Sequence, residues 1–260
     1  MKIVKIPLNA GALSKKSGQE KSPDKIIDNL KNFFLKESGV LPFHTIEELK
    51  LDNSDLEGCH DAIYKKVSEM SSPAILVGGD HSLTYPAFKA FSKMHENPGL
   101  LVFDAHLDAE NDFSPPTHED YLRMLVSDGI LKRENVIVVG VRNFHQNELE
   151  FWKKNRIKVF TMAEIAKEGK SEIADAVMSV AKNFSGLYIS VDIDVLDPAF
   201  APGTGYLEPG GMTTRELLYF VQRLKNLKNI MMWDIVEVNP DKDLNDITSS
   251  AAAKIVLEMS

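Results

Sequence analysis

Leu100-Leu101-Val102-Phe103-Asp104-Ala105-His106-Leu107-Asp108 is an apolar run that turns abruptly into acids and an imidazole. Its first four residues read as a short buried strand. Its second half, Asp-x-His-x-Asp, sets three metal-ligating side chains at alternate positions. Residues two apart in an extended strand face the same side, so Asp104, His106 and Asp108 are expected to converge on one point. Two further stretches repeat the design. Ala74-Ile75-Leu76-Val77-Gly78-Gly79-Asp80-His81-Ser82 ends in an acid and an imidazole. Leu187-Tyr188-Ile189-Ser190-Val191-Asp192-Ile193-Asp194 ends in two acids. Such groups at the ends of buried strands cost free energy unless something neutralises them, and a metal ion does so.

Around these three runs, apolar strand-like stretches alternate with amphipathic helical ones. Strands are expected at 2–8, 136–141, 158–162 and 230–238. Helices are expected at 22–36, opened by Ser22-Pro23-Asp24, and at 54–70, with Ser54 and Glu57 spaced as a capping box. Further helices are expected at 85–94, from near His118, and at 147–155 and 171–183. Thr213 followed by Glu216 opens one to about Leu224, and 248–259 closes the chain. Residues 9–22 and 197–211 read as loops. The alternation predicts an α/β fold whose parallel sheet is covered on both faces. No linker or repeat interrupts it, so residues 1–260 are read as one domain. In such sheets ligands bind beyond the carboxyl ends of the strands, where all three acidic runs fall.

Composition narrows the function. A net charge of −8 over 260 residues argues against a nucleic-acid partner or a basic membrane patch. The single cysteine, Cys59, allows neither a disulfide framework nor a thiolate metal site, and fits a reducing cytoplasm. The first residues, Met1 to Pro7, hold too short an apolar run for a signal peptide, and no stretch approaches the ~18 apolar residues of a membrane span.

The candidate ligands are His81, Asp104, His106, Asp108, Asp192 and Asp194. Four carboxylates with two imidazoles exceed what one ion can use. Two ions sharing bridging carboxylates can use them all, and oxygen-rich sites with some imidazole suit Mn2+. A metal pair lowers the pKa of a shared water, which predicts hydrolysis.

The three runs, together with Phe200-Ala201-Pro202-Gly203-Thr204-Gly205 and Glu237-Val238-Asn239-Pro240, resemble the signature motifs of the ureohydrolase family: arginase, agmatinase, formimidoylglutamase and relatives. The resemblance implies a three-layer α/β sandwich around a mostly parallel eight-stranded sheet, with two Mn2+ per subunit. It implies that one ion takes His81, Asp104, Asp108 and Asp192, and the other Asp104, His106, Asp192 and Asp194. Glu237 would grip the substrate's guanidinium, His118 would shuttle a proton, and Asp108 would also hold the nucleophile. A homo-oligomer, trimer or hexamer, is implied as well.

The sequence departs from arginases where those hold a free amino acid. Ser114 matches one such position, but Pro116 replaces an amide, and Arg142-Asn143-Phe144-His145 offers no acid after its strand. Tyr206 stands where a threonine is usual. Glu110, Asp112, Glu119 and Asp120 make the loop acidic, which suits a substrate with a second cationic end. Substrate contacts are therefore expected from Glu237, His118, Ser114, Glu110 and Tyr206. The expected reaction is hydrolysis of a small guanidino substrate, agmatine in first place, to urea and an amine. Arginase or formimidoylglutamase activity, action on a guanidino acid or peptidyl arginine, and a non-catalytic metal-binding relative are the alternatives.

Overall fold

The computed structural model describes residues 1–13, 18–71 and 73–260. Part of the expected loop at 9–22, residues 14–17, lies outside them. The strands are β1 (Lys2–Ile6), β2 (Thr45–Glu48), β3 (Ala74–Gly78), β4 (Pro98–Phe103), β5 (Val136–Val141), β6 (Lys158–Thr161), β7 (Gly186–Asp192) and β8 (Ile230–Val236). They form one sheet in the order β2-β1-β3-β8-β7-β4-β5-β6. Every pairing is parallel.

The helices are α1 (Ser22–Leu30), α2 (Leu56–Ser68), α3 (Thr84–Ser92), α4 (Tyr121–Ser127), α5 (Gln146–Asn155), α6 (Met162–Glu168), α7 (Lys170–Ala181), α8 (Thr214–Leu224) and α9 (Ile247–Met259). Alternate strand residues feed two cores. Ile75, Val77, Leu101, Phe103, Ile137 and Val139 pack with α1 and α6 to α9. Ala74, Leu76, Leu100, Val102, Val136 and Val138 pack with α2 to α5. The central strands are buried on both faces, which is why they read as continuous apolar runs. Each fully buried Leu, Ile or Val contributes roughly 1.5–3 kcal/mol.

Several local expectations are corrected. α2 is capped by Asp55, whose carboxylate accepts the Gly58 amide at 3.0 Å, and not by Ser54. Ser54 instead donates to Asp52 at 2.7 Å. α1 stops at Leu30. Beyond it Arg215 forks onto Glu37 at 2.7 and 2.9 Å, and Glu258 takes the Glu37 amide at 2.8 Å. Those bonds hold the chain away from a further helical turn. The helix placed near His118 begins only at Tyr121, because Asp120 is used to fold the turn before it. Asp120 accepts the amides of Phe113 and Thr117, each at 2.8 Å. β2 and α6 were not foreseen; both are short, and β2 is exposed along its length. The capping box at Thr213 and Glu216 forms as expected.

β3 ends against the chain leaving β1. A Cβ on Gly79 would lie 1.7 Å from the Leu8 carbonyl oxygen, which accepts the next amide, Asp80, at 3.0 Å. Gly79→Ala is therefore expected to destabilise the fold by about 3 kcal/mol or more. Denaturant melts would check it; a midpoint equal to the parent's would contradict the close approach.

Candidate metal centre

β3, β8, β7 and β4 lie side by side, and the three acidic runs with Glu237 follow their carboxyl ends. Convergence does not come from strand alternation, as the sequence reading expected. It comes from one repeated turn. Asp80, Asp104 and Asp192 each accept the amide two residues on, from Ser82 at 3.0 Å, His106 at 2.7 Å and Asp194 at 2.8 Å. Asp and Asn favour this turn. The strands thus stop at the first acid and the following residues curl over the sheet edge.

His81 Nδ1 faces Asp108 Oδ2 at 2.9 Å, Asp192 Oδ2 at 3.1 Å and Asp104 Oδ2 at 3.3 Å. His106 Nδ1 faces Asp194 Oδ2 at 3.1 Å and Asp104 Oδ1 at 3.6 Å. Asp104 therefore turns one oxygen to each imidazole, the arrangement a bridging carboxylate needs. Asp104 and Asp192 alike keep Oδ2 free of backbone bonds, since the amides of His106 and Asp194 hold their Oδ1 atoms. Two ligand groups stand out, His81-Asp104-Asp192 and Asp104-His106-Asp108, joined through Asp104. His81 Nδ1 and Asp104 Oδ2 are buried and without hydrogen-bond partners among the described residues. No described Lys or Arg pairs with these carboxylates. Buried charges in that state call for a cation, so the donor set fits a pair of divalent ions.

The electrostatics agree. Burial and the neighbouring Asp104 and Asp194 push Asp108 and Asp192 well above the carboxylate range. Burial alone would lower His81, yet Tyr121 and the surrounding carboxylates raise it well above its ordinary value. Without metal, the cluster holds its protons.

A polar chain lies beneath His81. Its Nε2 bonds Ser190 Oγ at 2.8 Å, and Ser190 donates to Asp234 Oδ1 at 2.5 Å. Thr84 and Tyr188 donate to Asp234 Oδ2 at 2.8 and 2.7 Å. The chain fixes the tautomer that leaves Nδ1 free for a metal. Ser190→Ala is expected to weaken metal affinity about 10- to 100-fold. Metal titration followed by calorimetry would test it, and an unchanged isotherm would remove Ser190 from this role.

Asp108 and Glu237 have left-handed backbones, φ 47° and 63°, a strain of order 1 kcal/mol each for non-glycine residues. The Glu237 amide bonds the Gly79 carbonyl at 2.9 Å, which turns its side chain towards β3. There Oε1 accepts the His81 amide at 2.8 Å and faces His118 Nδ1 at 3.2 Å. Burial would depress His118, but the Glu237 carboxylate outweighs it and holds the imidazole up at about 9. The Leu13 amide lies 3.2 Å from His118 Nε2, a bond that only the neutral imidazole accepts.

These groups floor a cavity of about 240 Å³, whose lining includes Glu110, Glu119, His145, Tyr206 and Glu208. Tyr206 crosses its mouth, donating to Glu119 Oε1 at 2.6 Å. Ser114 is exposed and outside the lining, as is Asp112, because the Asp120 turn carries that part of the loop outward. Asp120 itself is buried and serves the turn.

Sequence reasoning missed four supports. Glu148 accepts the amides of Leu107 and Ala109 at 3.3 and 3.2 Å and shapes the Asp-x-His-x-Asp loop. Arg142 donates to the carbonyls of Asp194 and Glu208, each at 2.7 Å, clamping the 194–211 loop. Glu208 lies 3.7 Å from His106 Nε2, and Gln19 donates to Glu237 Oε2 at 3.0 Å. None has a periodic or motif signature; Glu148 alone could have been found, as the third-position acid of the His145 capping box.

A model of the arginase family matches residues 1–260. A formimidoylglutamase of Halalkalibacterium halodurans is 36% identical over 194 residues, 73% of this chain and 61% of that protein. An arginase of Staphylococcus aureus is 34% identical over 197 residues, 70% of this chain and 65% of that protein. The chain thus spans less than two thirds of the length of either curated relative. The solved formimidoylglutamase of Bacillus subtilis superposes with a TM-score of 0.93 at 28% identity, covering 99% of this chain and 84% of that one. The fold, the clustered acids and imidazoles, and these matches together establish that the chain belongs to the arginase family.

Proposed function

We propose that the chain is a binuclear manganese ureohydrolase acting on a guanidino-amine of the agmatine type. The observation that carries the substrate class is the cavity lining. Among the described residues it holds Glu110, Glu119 and Glu208 towards the mouth and no Lys or Arg. Arg142, beside the cavity, spends its guanidinium on loop carbonyls. Among the described residues a carboxylate-ended substrate finds no counter-ion there, whereas a distal ammonium finds several.

His81, Asp104, Asp108 and Asp192 would hold one ion, and Asp104, His106, Asp192 and Asp194 the other. When bound, the ion pair supplies a water activated for attack near neutral pH. The chain's own groups do the rest. Glu237 receives the planar guanidinium and directs its carbon towards the metal floor. Asp108 accepts a hydrogen bond from the attacking water. A C–O bond forms, the bond between the guanidinium carbon and the nitrogen carrying the alkyl chain breaks as the former water becomes the urea carbonyl, and His118 delivers the proton that the leaving amine requires. Tyr206 and Glu119 close the mouth over the substrate's tail. Exposed Phe34, Leu41 and Phe43 supply apolar surface for the homo-oligomer that belongs to this reading.

Turnover of a guanidine panel by Mn2+-loaded protein, with urea and amine both measured, tests the reading. Urea from agmatine and not from arginine supports it. Urea from arginine, or formamide from formimidoylglutamate, replaces the substrate assignment. Within the assignment, Glu110→Gln combined with Glu208→Gln is expected to raise the KM for agmatine about 5- to 10-fold with little change in kcat. An unchanged KM would remove the two acids from substrate binding.

A further inference from the structure

Gly18 packs so closely on the loop after β8 that a Cβ there would lie 2.6 Å from Asn239 Oδ1 and 2.8 Å from Asp241 Oδ2. That contact brings Gln19, 2% exposed, beneath the cavity. Gln19 Oε1 accepts the Gly18 amide at 2.9 Å. The amide is thereby oriented, and Nε2 must face Glu237, where it donates to Oε2 at 3.0 Å. The partners of the other oxygen are the His81 amide at 2.8 Å and His118 at 3.2 Å. Gln19 is thus the only side chain holding Glu237 Oε2 among the described residues.

We infer that Gln19 is a positioning residue, which fixes the plane of the Glu237 carboxylate so that the one free lone pair, on Oε2, meets a guanidinium N–H. The inference rests on the reading of Glu237 as the guanidinium acceptor. The terminal torsion of a glutamate is broad and does not fix that plane by itself. Donors on both oxygens do. Gln19 occupies one lone pair of Oε2 and leaves the other for substrate. A hydrogen bond into that single lone pair depends on this alignment far more than a point charge would.

Gln19→Met keeps the side chain's length and bulk and removes the donor. It is expected to raise the KM for agmatine about tenfold while kcat changes less than about threefold. Gln19→Glu, equally close in shape but repelling Glu237, is expected to raise KM further. Bound manganese by mass spectrometry should stay at the parent's value, while the melting temperature falls by several degrees because the variants leave buried polar groups unpaired. A packing role alone would lower the melting temperature and leave KM in place. A second measurement needs no turnover: methylguanidinium is titrated calorimetrically into Mn2+-loaded parent and Gln19→Met protein, with about tenfold weaker binding expected in the variant. If the parent hydrolyses no guanidine, the proposed reaction fails and the calorimetry still decides on Gln19. Equal KM values, equal affinities, or no methylguanidinium binding by the parent would overturn the inference.

Discussion

Removal of divalent ions is expected to abolish turnover and to lower the melting temperature by an amount that grows with pH. An ion present at about a thousand times its Kd stabilises by about 4 kcal/mol, which at about 2–4 °C per kcal/mol amounts to roughly 10 °C. The pH trend follows from the metal-free cluster. His81 and His106 are raised above their ordinary values by the surrounding carboxylates, which outweigh burial. Their stabilisation is complete below the unfolded value of about 6.5 and is lost as pH rises towards their folded values. Asp108 and Asp192 are also raised, so the native state binds protons that the unfolded chain releases above about 4. This too costs stability as pH rises. Asp104 is lowered by His106 and His81 against the effect of burial, so its contribution is complete above about 4 and constant over this range. Metal binding needs the deprotonated ligands, so it strengthens over the same range. Scanning calorimetry with and without chelator between pH 5.5 and 8.5 would show the gap widening. A gap that is constant or narrows would mean that the cluster does not hold its protons. Asp192→Asn, which imitates the protonated acid, is expected to match the parent in chelator and to lose on the order of 10³-fold in kcat/KM with metal.

Glu237→Gln is expected to lower kcat/KM by about 10³-fold, with the loss shared between KM and kcat. Two consequences of one charge combine. The guanidinium loses its carboxylate, and His118 loses the anion that holds its imidazole up at about 9. His118 in the variant should therefore titrate at lower pH, visible by NMR of its ring. Glutamine keeps the left-handed backbone that Glu237 already adopts, so the fold should be intact. A variant with near-parental kcat/KM would show that the guanidinium binds elsewhere. A His118 titration that does not move would show that the two residues are not coupled.

The sheet was legible because its central strands are buried on both faces and spell themselves out as apolar runs. Val136–Val141 was read to the residue. The clustering of these acids and imidazoles was legible because metal chemistry restricts residue type. What could not be read was how they meet. Strand alternation suggested that they converge; the Asx turns at Asp104 and Asp192 are what bring them together. Asp120 looked like part of an acidic mouth and is a buried turn former. Gln19 and Arg142 act through hydrogen bonds spanning large separations in sequence, and such bonds leave no local pattern. β2 escaped because an exposed four-residue edge strand needs no hydrophobic signature.

β8 is the last strand in the chain and the one that pairs with both β3 and β7. A nascent chain emerging from the ribosome can lay down β1 to β7 and still have no continuous sheet, because the slot between β3 and β7 stays empty. Both of those strands then present unpaired inner edges. Glu237 arrives just after β8, so the guanidinium acceptor is missing until then, and without β8 nothing holds His81 beside Asp192 across the sheet. Two strand edges lie open in the meantime, and a fragment ending before residue 236 is expected to aggregate rather than to show partial activity.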